Sequence, residues 1–291
     1  MKSRSLGTTG IDVSEIGYGA MHLSIDKVKR PSEEDAIALI RHAVDTLGIT
    51  LIDTADSYCL DETDKGHNER VISEALSDGR KERVTVATKG GLIRPEGRWE
   101  RNGQPAYLRA ACEASLKALR TDTIDIYQLH APDPLVPIAD SVGTLADMQR
   151  EGKIRHIGVS NVTIDELEIA RGEAEIVSVQ NRYSVFDRRD QDALLAFCEK
   201  NAIAYLPWNP IGGRGNAPEI GKVFTDLDEI SRSRGVAPHA VVIAWLLRHS
   251  PALIPIPGTT KIEHLEQNIA GATLELTDEE IETLDMLEVE H

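Results

Sequence analysis

Short apolar runs recur along the chain, and the distance between successive runs leaves room for a helix. The runs are rich in Ile and Val and lack polar alternation, which is typical of parallel strands that are covered on both faces. They are SEIGYGA, ITLID, VTVAT, IDIYQLH, IRHIGVS, IVSVQN, AIAYLPW and LIPIPG. Eight strands that alternate with helices predict an α/β fold, a closed (β/α)8 TIM barrel rather than two domains.

The segments between the runs carry helix signals. Ser32 caps SEEDAIALIRHAVDTLG with Asp35 three residues later, and PAYLRAACEASLKALR opens with Pro105 in the first-turn position. DELEIARG and RDQDALLAFCEKN continue the helical pattern. The leading SLGTTGI resembles a short hairpin, which we expect to close the bottom of the barrel. We expect one domain over residues 1–291, because barrels of this kind reach such a length undivided.

Composition narrows the class of function. The net charge of -16 argues against nucleic acid and anionic membrane surfaces as partners, although it leaves room for a local cationic pocket. The first residues contain no apolar signal segment, and no apolar run approaches the roughly 20 residues that span a bilayer. Cys59, Cys112 and Cys198 are few and widely spaced, which favours reduced thiols. We therefore expect a cytoplasmic protein, a monomer or weak homo-oligomer, with a small-molecule partner and no metal.

Polar residues stand directly after three consecutive apolar runs. ITLID ends in Asp53 with Tyr58 five residues later, VTVAT is followed by Lys89, and IDIYQL is followed by His130. In a (β/α) barrel, active sites are built at the carboxyl ends of the strands. We therefore expect a carboxylate, a phenol, an amine and an imidazole to meet at one mouth of the barrel.

This grouping suits proton transfer to a carbonyl oxygen. A phenol with a pKa of about 10 is a poor acid at neutral pH, and a neighbouring ammonium is expected to lower that pKa. A carboxylate beside the ammonium keeps the lysine charged, and a neutral imidazole can orient the carbonyl group. Because no side chain donates a hydride, reduction of that carbonyl group would require a nicotinamide cofactor.

Other interpretations stay open for the same residues. Taken singly, Asp53 is consistent with a helix cap, Tyr58 with packing, Lys89 with an exposed turn and His130 with a loop histidine. Lys89 at a strand end is also where a Schiff-base aldolase or lyase would hold its amine. A nicotinamide-binding redox-sensing subunit is the third alternative.

Seven motifs, spread in order over nearly the whole chain, resemble those of aldo-keto reductases. They are GYGAM, DTADSY, TKGG, LHAP, GVSN, VQNRY and IPGTTKIEHLEQN. The resemblance implies that Tyr58 is the general acid and that Lys89, Asp53 and His130 complete its tetrad. It also implies that Ser160, Asn161 and Gln180 hold a nicotinamide carboxamide, although Ser160-Asn161 could instead cap the helix that follows.

The resemblance implies a longer set of cofactor contacts as well. Trp208 matches the position of an aromatic ring against the nicotinamide face, and the chain at Gly19 would approach the cofactor through its backbone. The full set is Gly19, Ala20, Met21, Asp53, Ser160, Asn161, Gln180, Trp208, Pro210, Ile211, Gly212, Gly258, Thr259, Thr260, Lys261, His264, Gln267 and Asn268.

The segment after the last run bears on the choice of cofactor. Thr259, Thr260 and Lys261 can offer hydroxyl, N–H and ammonium groups to an anion at a helix N-terminus. Many aldo-keto reductases carry Lys where this chain has Gly258 and Arg where it has His264, and a histidine offers no bidentate fork. We expect NADPH as the cofactor, with NADH as the alternative.

The substrate is suggested by similarity to one branch of the family. GYGAM, VQNRYSVFDR and YLPWNPIGG are most similar to the branch that includes bacterial pyridoxal reductases. That similarity implies a pyridoxal-type or other small aromatic aldehyde. We expect the segments YCLDETDKGHNE, LIRPEGRWERNGQPA and GGRGNAPEIGKV to line its pocket, with Arg98, Trp99 and Arg101 as candidate contacts.

Overall fold

The computed structural model describes residues 1–186, 188, 191–212 and 224–287. Its strands are β1 (Ser3–Ser5), β2 (Asp12–Ser14), β3 (Tyr18–Gly19), β4 (Leu51–Asp53), β5 (Thr85–Gly90), β6 (Leu92–Ile93), β7 (Glu100–Arg101), β8 (Ile124–Leu129), β9 (Ile154–Ser160), β10 (Ile176–Gln180) and β11 (Ala204–Tyr205). Its helices are α1 (Glu33–Asp45), α2 (His67–Ala75), α3 (Pro105–Leu119), α4 (Ile138–Arg150), α5 (Ile164–Glu173), α6 (Asp192–Lys200), α7 (Thr225–Arg234), α8 (Pro238–His249), α9 (Ile262–Ala270) and α10 (Asp278–Asp285).

Seven parallel strands form one curled sheet in the order β11-β10-β9-β8-β5-β4-β3. The last apolar run, LIPIPG, joins its two edges. The Ile254 N–H donates to the Tyr205 carbonyl at 2.9 Å, the Gly17 N–H to the Pro255 carbonyl at 2.8 Å, and the Gly19 N–H to the Pro257 carbonyl at 3.2 Å. Prolines accept but cannot donate, so this eighth segment makes an incomplete ladder. The predicted (β/α)8 barrel is confirmed.

The predicted N-terminal hairpin is confirmed too, and it lies against the barrel interior. β1 and β2 pair antiparallel, and Leu6 and Val13 are buried in one apolar cluster with strand residues such as Ala87 and Ile254. Gly7 has a φ of 58°, and a Cβ there would come within 2.2 Å of the Val177 carbonyl oxygen. The hairpin therefore closes the barrel floor, and its turn requires glycine.

Local signals determine where several helices begin. The Ser32 hydroxyl accepts from the Asp35 N–H at 3.1 Å before α1, as the sequence predicts. Pro105 is the first residue of α3. RDQDALLAFCEKN forms α6 from Asp192 to Lys200, and its residues 189 and 190 lie outside the described part of the chain.

The strands deliver the candidate site residues to one end of the barrel. Asp53 ends β4, Lys89 is the fifth residue of β5, and His130 directly follows β8. Ser160 and Gln180 end β9 and β10 in the same way. Because all of these strands are parallel, the five side chains share the carboxyl end of the sheet.

Candidate active site

Lys89 is the centre of the site. Its side chain is 0% exposed, and its Nζ donates to Asp53 Oδ2 at 2.7 Å, to the Thr54 carbonyl at 2.7 Å and to the Tyr58 hydroxyl at 3.0 Å. These bonds use all three ammonium protons, which compensates a buried charge that would otherwise be costly. Asp53, Tyr58 and Lys89 are therefore brought together as the sequence predicts.

Burial and charge act against each other in this cluster. Burial lowers the pKa of Lys89, but the Asp53 carboxylate and Tyr58 outweigh it, so the net pKa is raised and the amine is an ammonium. Burial raises the pKa of Asp53, opposed by Lys89 and by the hydrogen bond from Gln180. Burial also raises the pKa of Tyr58 more than the ammonium lowers it. The Lys89 ammonium therefore lowers the pKa of Tyr58 as predicted, but burial outweighs it, and the phenol is protonated at neutral pH.

His130 joins the cluster beside the phenol. Its ring lies 5.7 Å from the Tyr58 ring in an edge-on arrangement, and its Nδ1 is 3.3 Å from the Ser57 hydroxyl. Burial and then the Lys89 ammonium hold the pKa of His130 well below its usual range, so the imidazole is neutral. Ser57 lies inside the DTADSY motif, but the motif alone does not indicate this contact.

The residues that end β9 and β10 are bonded to this cluster. Gln180 Nε2 donates to Asp53 Oδ1 at 2.7 Å, and the Ser160 hydroxyl donates to the Gln180 carbonyl at 2.7 Å. Gln180 thereby occupies the Asp53 oxygen that Lys89 does not reach. The amide and the ammonium together orient the carboxylate.

Asn161 connects His130 to Trp208. Its Nδ2 donates to the His130 carbonyl at 2.9 Å, and its Oδ1 accepts from Trp208 Nε1 at 3.1 Å. Asn161 has a φ of 59°, in the left-handed region that asparagine tolerates better than most residues. The next helix is capped by Thr163, which forms a capping box with Glu166. The alternative role of Ser160-Asn161 as the helix cap is therefore wrong.

The chain that follows β3 and the chain that follows the last apolar run meet at two glycines. A Cβ on Gly19 would come within 2.5 Å of the Ile256 carbonyl oxygen, and one on Gly258 within 2.7 Å of the Gly19 carbonyl oxygen. The Tyr18 hydroxyl donates to the Thr259 carbonyl at 2.7 Å. Ala20 is buried and Met21 is half-buried beside them. The backbone contact leaves no room for larger residues at these positions.

The N-terminus of α9 is open to solvent. Lys261 is exposed at the capping position, and its N–H donates to the Thr259 hydroxyl at 3.1 Å. Partial burial and then the Lys261 ammonium lower the pKa of the exposed His264, so that histidine is neutral at pH 7. Asn268 is buried, and within the described residues its Oδ1 has no hydrogen-bond partner.

The remaining predicted cofactor positions flank these groups. Pro210 and Ile211 are buried after Trp208, whereas Thr260 and Gly212 are half-buried and Gln267 is exposed. Residues 213–223, which contain most of the predicted pocket segment GGRGNAPEIGKV, lie outside the described part of the chain.

An aromatic side chain stands at the opening beside His130. Trp99 is 45% exposed, and its ring centroid is 6.3 Å from that of His130. The Arg94 guanidinium lies 4.0 Å from the Trp99 ring centroid, and Arg94 is only 6% exposed. Arg98 instead pairs on the surface with Glu96 and Glu100, and Arg101 is exposed. The sequence indicated Trp99 but not the buried arginine behind it.

Two further features are absent from the described ranges. Within them, no three His, Cys, Asp or Glu residues come together as metal ligands, and no helix has the length and apolar character to cross a membrane. Cys59, Cys112 and Cys198 are buried free thiols, and burial raises the pKa of each to about 12. The thiol beside Tyr58 is therefore a packing group in its neutral form.

Known proteins are similar to this chain over most of its length. A sequence profile of the aldo/keto reductase family matches residues 15–289. An uncharacterized oxidoreductase of Schizosaccharomyces pombe is 35% identical over 275 residues, which are 94% of this chain and 86% of that protein.

Solved structures extend the comparison. A thermostable aldo-keto reductase in complex with the inhibitor epalrestat is similar with a TM-score of 0.83 and 31% identity, over 98% of this chain and 99% of its own. An aldo/keto reductase of Klebsiella pneumoniae in complex with NADP and acetate has a TM-score of 0.83 and 26% identity, over 98% of this chain and 95% of its own.

Proposed function

Because the chain belongs to the aldo/keto reductase family, we propose that this oxidoreductase reduces an aldehyde or ketone to the alcohol with NADPH. The observation that carries the proposal is the hydrogen bond between buried Lys89 Nζ and the Tyr58 hydroxyl. It joins a proton donor to a fixed positive charge at the mouth of the barrel. A bound nicotinamide would supply the hydride for the carbonyl carbon.

Tyr58 is the proposed general acid at the substrate's carbonyl oxygen. Its raised pKa keeps the proton on the phenol at neutral pH, so the donor is in the required form before the substrate arrives. The Lys89 ammonium then stabilises the phenolate that remains. Because Asp53 and Thr54 already hold that ammonium, it does not have to reorganise during the reaction.

His130 is the proposed second donor to the same oxygen. In this assignment the Ser57 hydroxyl donates to Nδ1, which places the proton of the neutral ring on Nε2. A neutral imidazole can hydrogen-bond the carbonyl oxygen without competing with Tyr58 to give up a proton. The lowered pKa of His130 supports this division of roles.

The cofactor-binding residues fit a dinucleotide. Ser160, Asn161 and Gln180 present oriented hydroxyl and amide groups for a carboxamide, and their acceptor oxygens keep a second lone pair. Trp208, held by its bond to Asn161, is the proposed ring against the nicotinamide. Gly19 supports the fit because any side chain there would fill the space in which a ligand meets the backbone.

The phosphate end of the dinucleotide is assigned to the start of α9. The N-terminus of a helix attracts anions, and the exposed Lys261 adds a positive charge there. The Asn268 Oδ1, an unpartnered acceptor within the described residues, is suited to an amino group of the base. The complex of the Klebsiella pneumoniae reductase with NADP supports NADPH as the first choice, with NADH as the alternative.

A small aromatic aldehyde, pyridoxal among them, is the proposed substrate. Trp99 supports this class because a half-exposed indole beside His130 can stack on a planar ring next to the carbonyl. Arg94 covers one face of the indole, so the other face and the edges are what a substrate would meet.

The Schiff-base alternative is disfavoured by the state of Lys89. A nucleophilic amine must be unprotonated, whereas the pKa of Lys89 is raised and its three protons are all donated. The redox-sensor alternative differs from the reductase in one observable. A sensor would bind the cofactor tightly and turn over negligibly.

We also propose that residues 1–291 form one catalytic domain that acts in the cytoplasm as a monomer or weak homo-oligomer. The match of the family profile to residues 15–289 supports a single domain. Three buried free thiols support a reducing compartment. Sedimentation of the purified protein tests the oligomeric state.

The deciding experiment is the initial rate of NADPH oxidation with pyridoxal and with benzaldehyde, each repeated with NADH. We expect turnover of both aldehydes and a higher kcat/KM with NADPH. Turnover of benzaldehyde alone would keep the reductase and reject the pyridoxal branch. Tight NADPH binding without turnover of either aldehyde would favour the sensor, and a borohydride-trapped adduct at Lys89 would favour the lyase.

A further inference from the structure

Asp56 lies between Asp53 and Tyr58, and it is held at three points. Its side chain is 1% exposed, and Lys65 Nζ is 3.2 Å from its Oδ2. Its N–H donates to the Lys89 carbonyl at 3.3 Å, and its carbonyl accepts from the Gly66 N–H at 2.9 Å. The segment that ends in Tyr58 is therefore tied both to the strand of Lys89 and to the start of α2.

Tyr107, in the first turn of α3, brings a third segment to the same place. Its hydroxyl accepts a hydrogen bond from Lys65 Nζ and lies 3.4 Å from Asp56 Oδ2 and 3.2 Å from the Leu92 carbonyl, to either of which it can donate. The Lys65 ammonium also lies 4.7 Å from the centroid of the Tyr107 ring. Leu92 opens the hairpin β6–β7, which carries Trp99 in its turn.

The ion pair between Lys65 and the buried Asp56 stabilises this arrangement. A buried carboxylate is stable only when a charge or hydrogen bonds compensate it. Lys65 is the cation that pairs with Asp56, and within the described residues Asp56 Oδ1 has no hydrogen-bond partner. Loss of the Lys65 contact would leave the carboxylate without its paired cation, so the ion pair is the strongest of the interactions that join the three segments.

We propose that Asp56, Lys65 and Tyr107 form a positioning clamp that sets the Tyr58 hydroxyl at bonding distance from Lys89 and holds the hairpin of Trp99 over the site. The clamp rests on the proposed reductase function, since its role is to align the proton donor for carbonyl reduction. Its residues act through Tyr58 and do not touch the reacting atoms. Small displacements of a catalytic group reduce rates steeply, which makes such a clamp measurable.

The clamp also introduces a pH dependence. Burial raises the pKa of Asp56 to about 6, and the Lys65 ammonium opposes that rise. The titratable groups that face Asp56 are Lys65, Tyr107, Glu62, Glu69, Tyr127 and Cys59. As the pH falls through about 6, protonation of Asp56 removes the nearer of the two carboxylate charges that Lys65 pairs with, at 3.2 Å against 3.7 Å for Glu62. The rate of reduction is therefore expected to fall over the same range.

Tyr107→Phe removes only the hydroxyl and is the primary test. With the NADPH complex mixed against saturating benzaldehyde, we expect a single-turnover rate about tenfold below wild type. The NADPH dissociation constant and the melting temperature should stay at wild-type values. Tyr183→Phe is the matched control, because the Tyr183 hydroxyl also bonds a carboxylate, donating to Asp192 at 2.7 Å. We expect wild-type rates for that variant.

Charge variants test the pH dependence. In the wild type, the single-turnover rate should decrease when the pH is lowered below about 6. In Asp56→Asn, the rate should be low at every pH and should show no such decrease. Glu69 is a neighbouring buried acid, and Glu69→Gln should still show the decrease in rate below about pH 6. Lys65→Arg should restore most of the rate that Lys65→Met loses, because it keeps the charge.

The two proposals fail in different ways. An inactive wild-type enzyme would reject the reductase function and the clamp with it. If the wild type is active, two results would overturn the clamp alone. One is a single-turnover rate of Tyr107→Phe equal to that of Tyr183→Phe, and the other is a decrease in rate below about pH 6 that persists in Asp56→Asn.

Discussion

The proposed catalytic cluster around Lys89 and the proposed phosphate site at the start of α9 hold their charged groups in opposite ways. Around Lys89, the side chains of Asp53, Tyr58 and Gln180 are almost fully buried and are hydrogen-bonded to Lys89 or to one another. At the start of α9, Lys261 and His264 are exposed, and in the described part of the chain Lys261 makes no ion pair within 4.0 Å. One region is organised before any ligand arrives, and the other offers charge to whatever binds.

This difference predicts where substitutions act. Preorganised groups contribute to the transition state, so changes among them should lower the rate of the chemical step. Exposed charges at a helix end contribute to ground-state binding, so changes there should alter affinity and leave the chemical step intact. Burial also raises the pKa of carboxyl groups in and near the cluster around Lys89, because a low-dielectric interior disfavours their ionised form.

Tyr58→Phe should give the largest effect. Loss of a general acid typically lowers the rate by 10²- to 10⁴-fold, and we expect a fall of about 10³-fold in carbonyl reduction. NADPH affinity, measured by fluorescence titration, should change by less than about twofold, because the proposed cofactor contacts are made by other residues. A parallel loss of cofactor binding and activity would contradict the division between the two regions.

Glu69→Gln tests the cost of burial near the cluster. Glu69 is 1% exposed, its Oε1 accepts from the Thr88 hydroxyl at 2.6 Å, and burial followed by the Asp56 charge raises its pKa to about 7. The folded state therefore holds this proton over a range in which the unfolded state has lost it. Stability should fall as the pH rises from the ordinary Glu pKa of 4.5 to about 7.

Urea unfolding at about pH 5 and about pH 8 measures this effect. Removing the ionisable group should abolish a loss of roughly 2 kcal/mol between those pH values. The exposed Glu34→Gln is the control and should follow the wild type. If the free energy of unfolding of the wild type declines over this range no more than that of Glu69→Gln, the raised pKa of Glu69 is rejected.

Lys261→Ala should have the smallest effect and act on binding alone. Loss of the exposed ammonium should weaken the binding of NADPH by about tenfold and that of NADH much less, because only NADPH carries the additional phosphate. His264→Arg should act in the opposite direction, since a guanidinium keeps its charge and offers a bidentate fork. The single-turnover rate at saturating cofactor should be unchanged in both. An equal loss of affinity for NADH would show that Lys261 does not act on the additional phosphate of NADPH.

Much of the fold and the core of the site could be predicted from local patterns. The eight apolar runs predict the barrel, and parallel strands necessarily bring their carboxyl ends to one edge. Asp53 ends such a run, and Lys89 and His130 each directly follow one, so their meeting could be predicted without knowledge of any tertiary contact. Ser32 and Pro105 indicate where their helices begin, because capping depends on neighbours within one turn.

Tertiary structure alone decided which groups pair and which protonation states they hold. Asp56, Lys65 and Tyr107 come from three separate segments, and no spacing rule connects them. Arg94 behind Trp99 is hidden for the same reason, because the sequence does not say which side chains a loop folds over. The pKa of Tyr58 depends on the balance of burial against the Lys89 charge. The order of residues determined which groups reach the mouth of the barrel, and the depth of packing determined what those groups can do there.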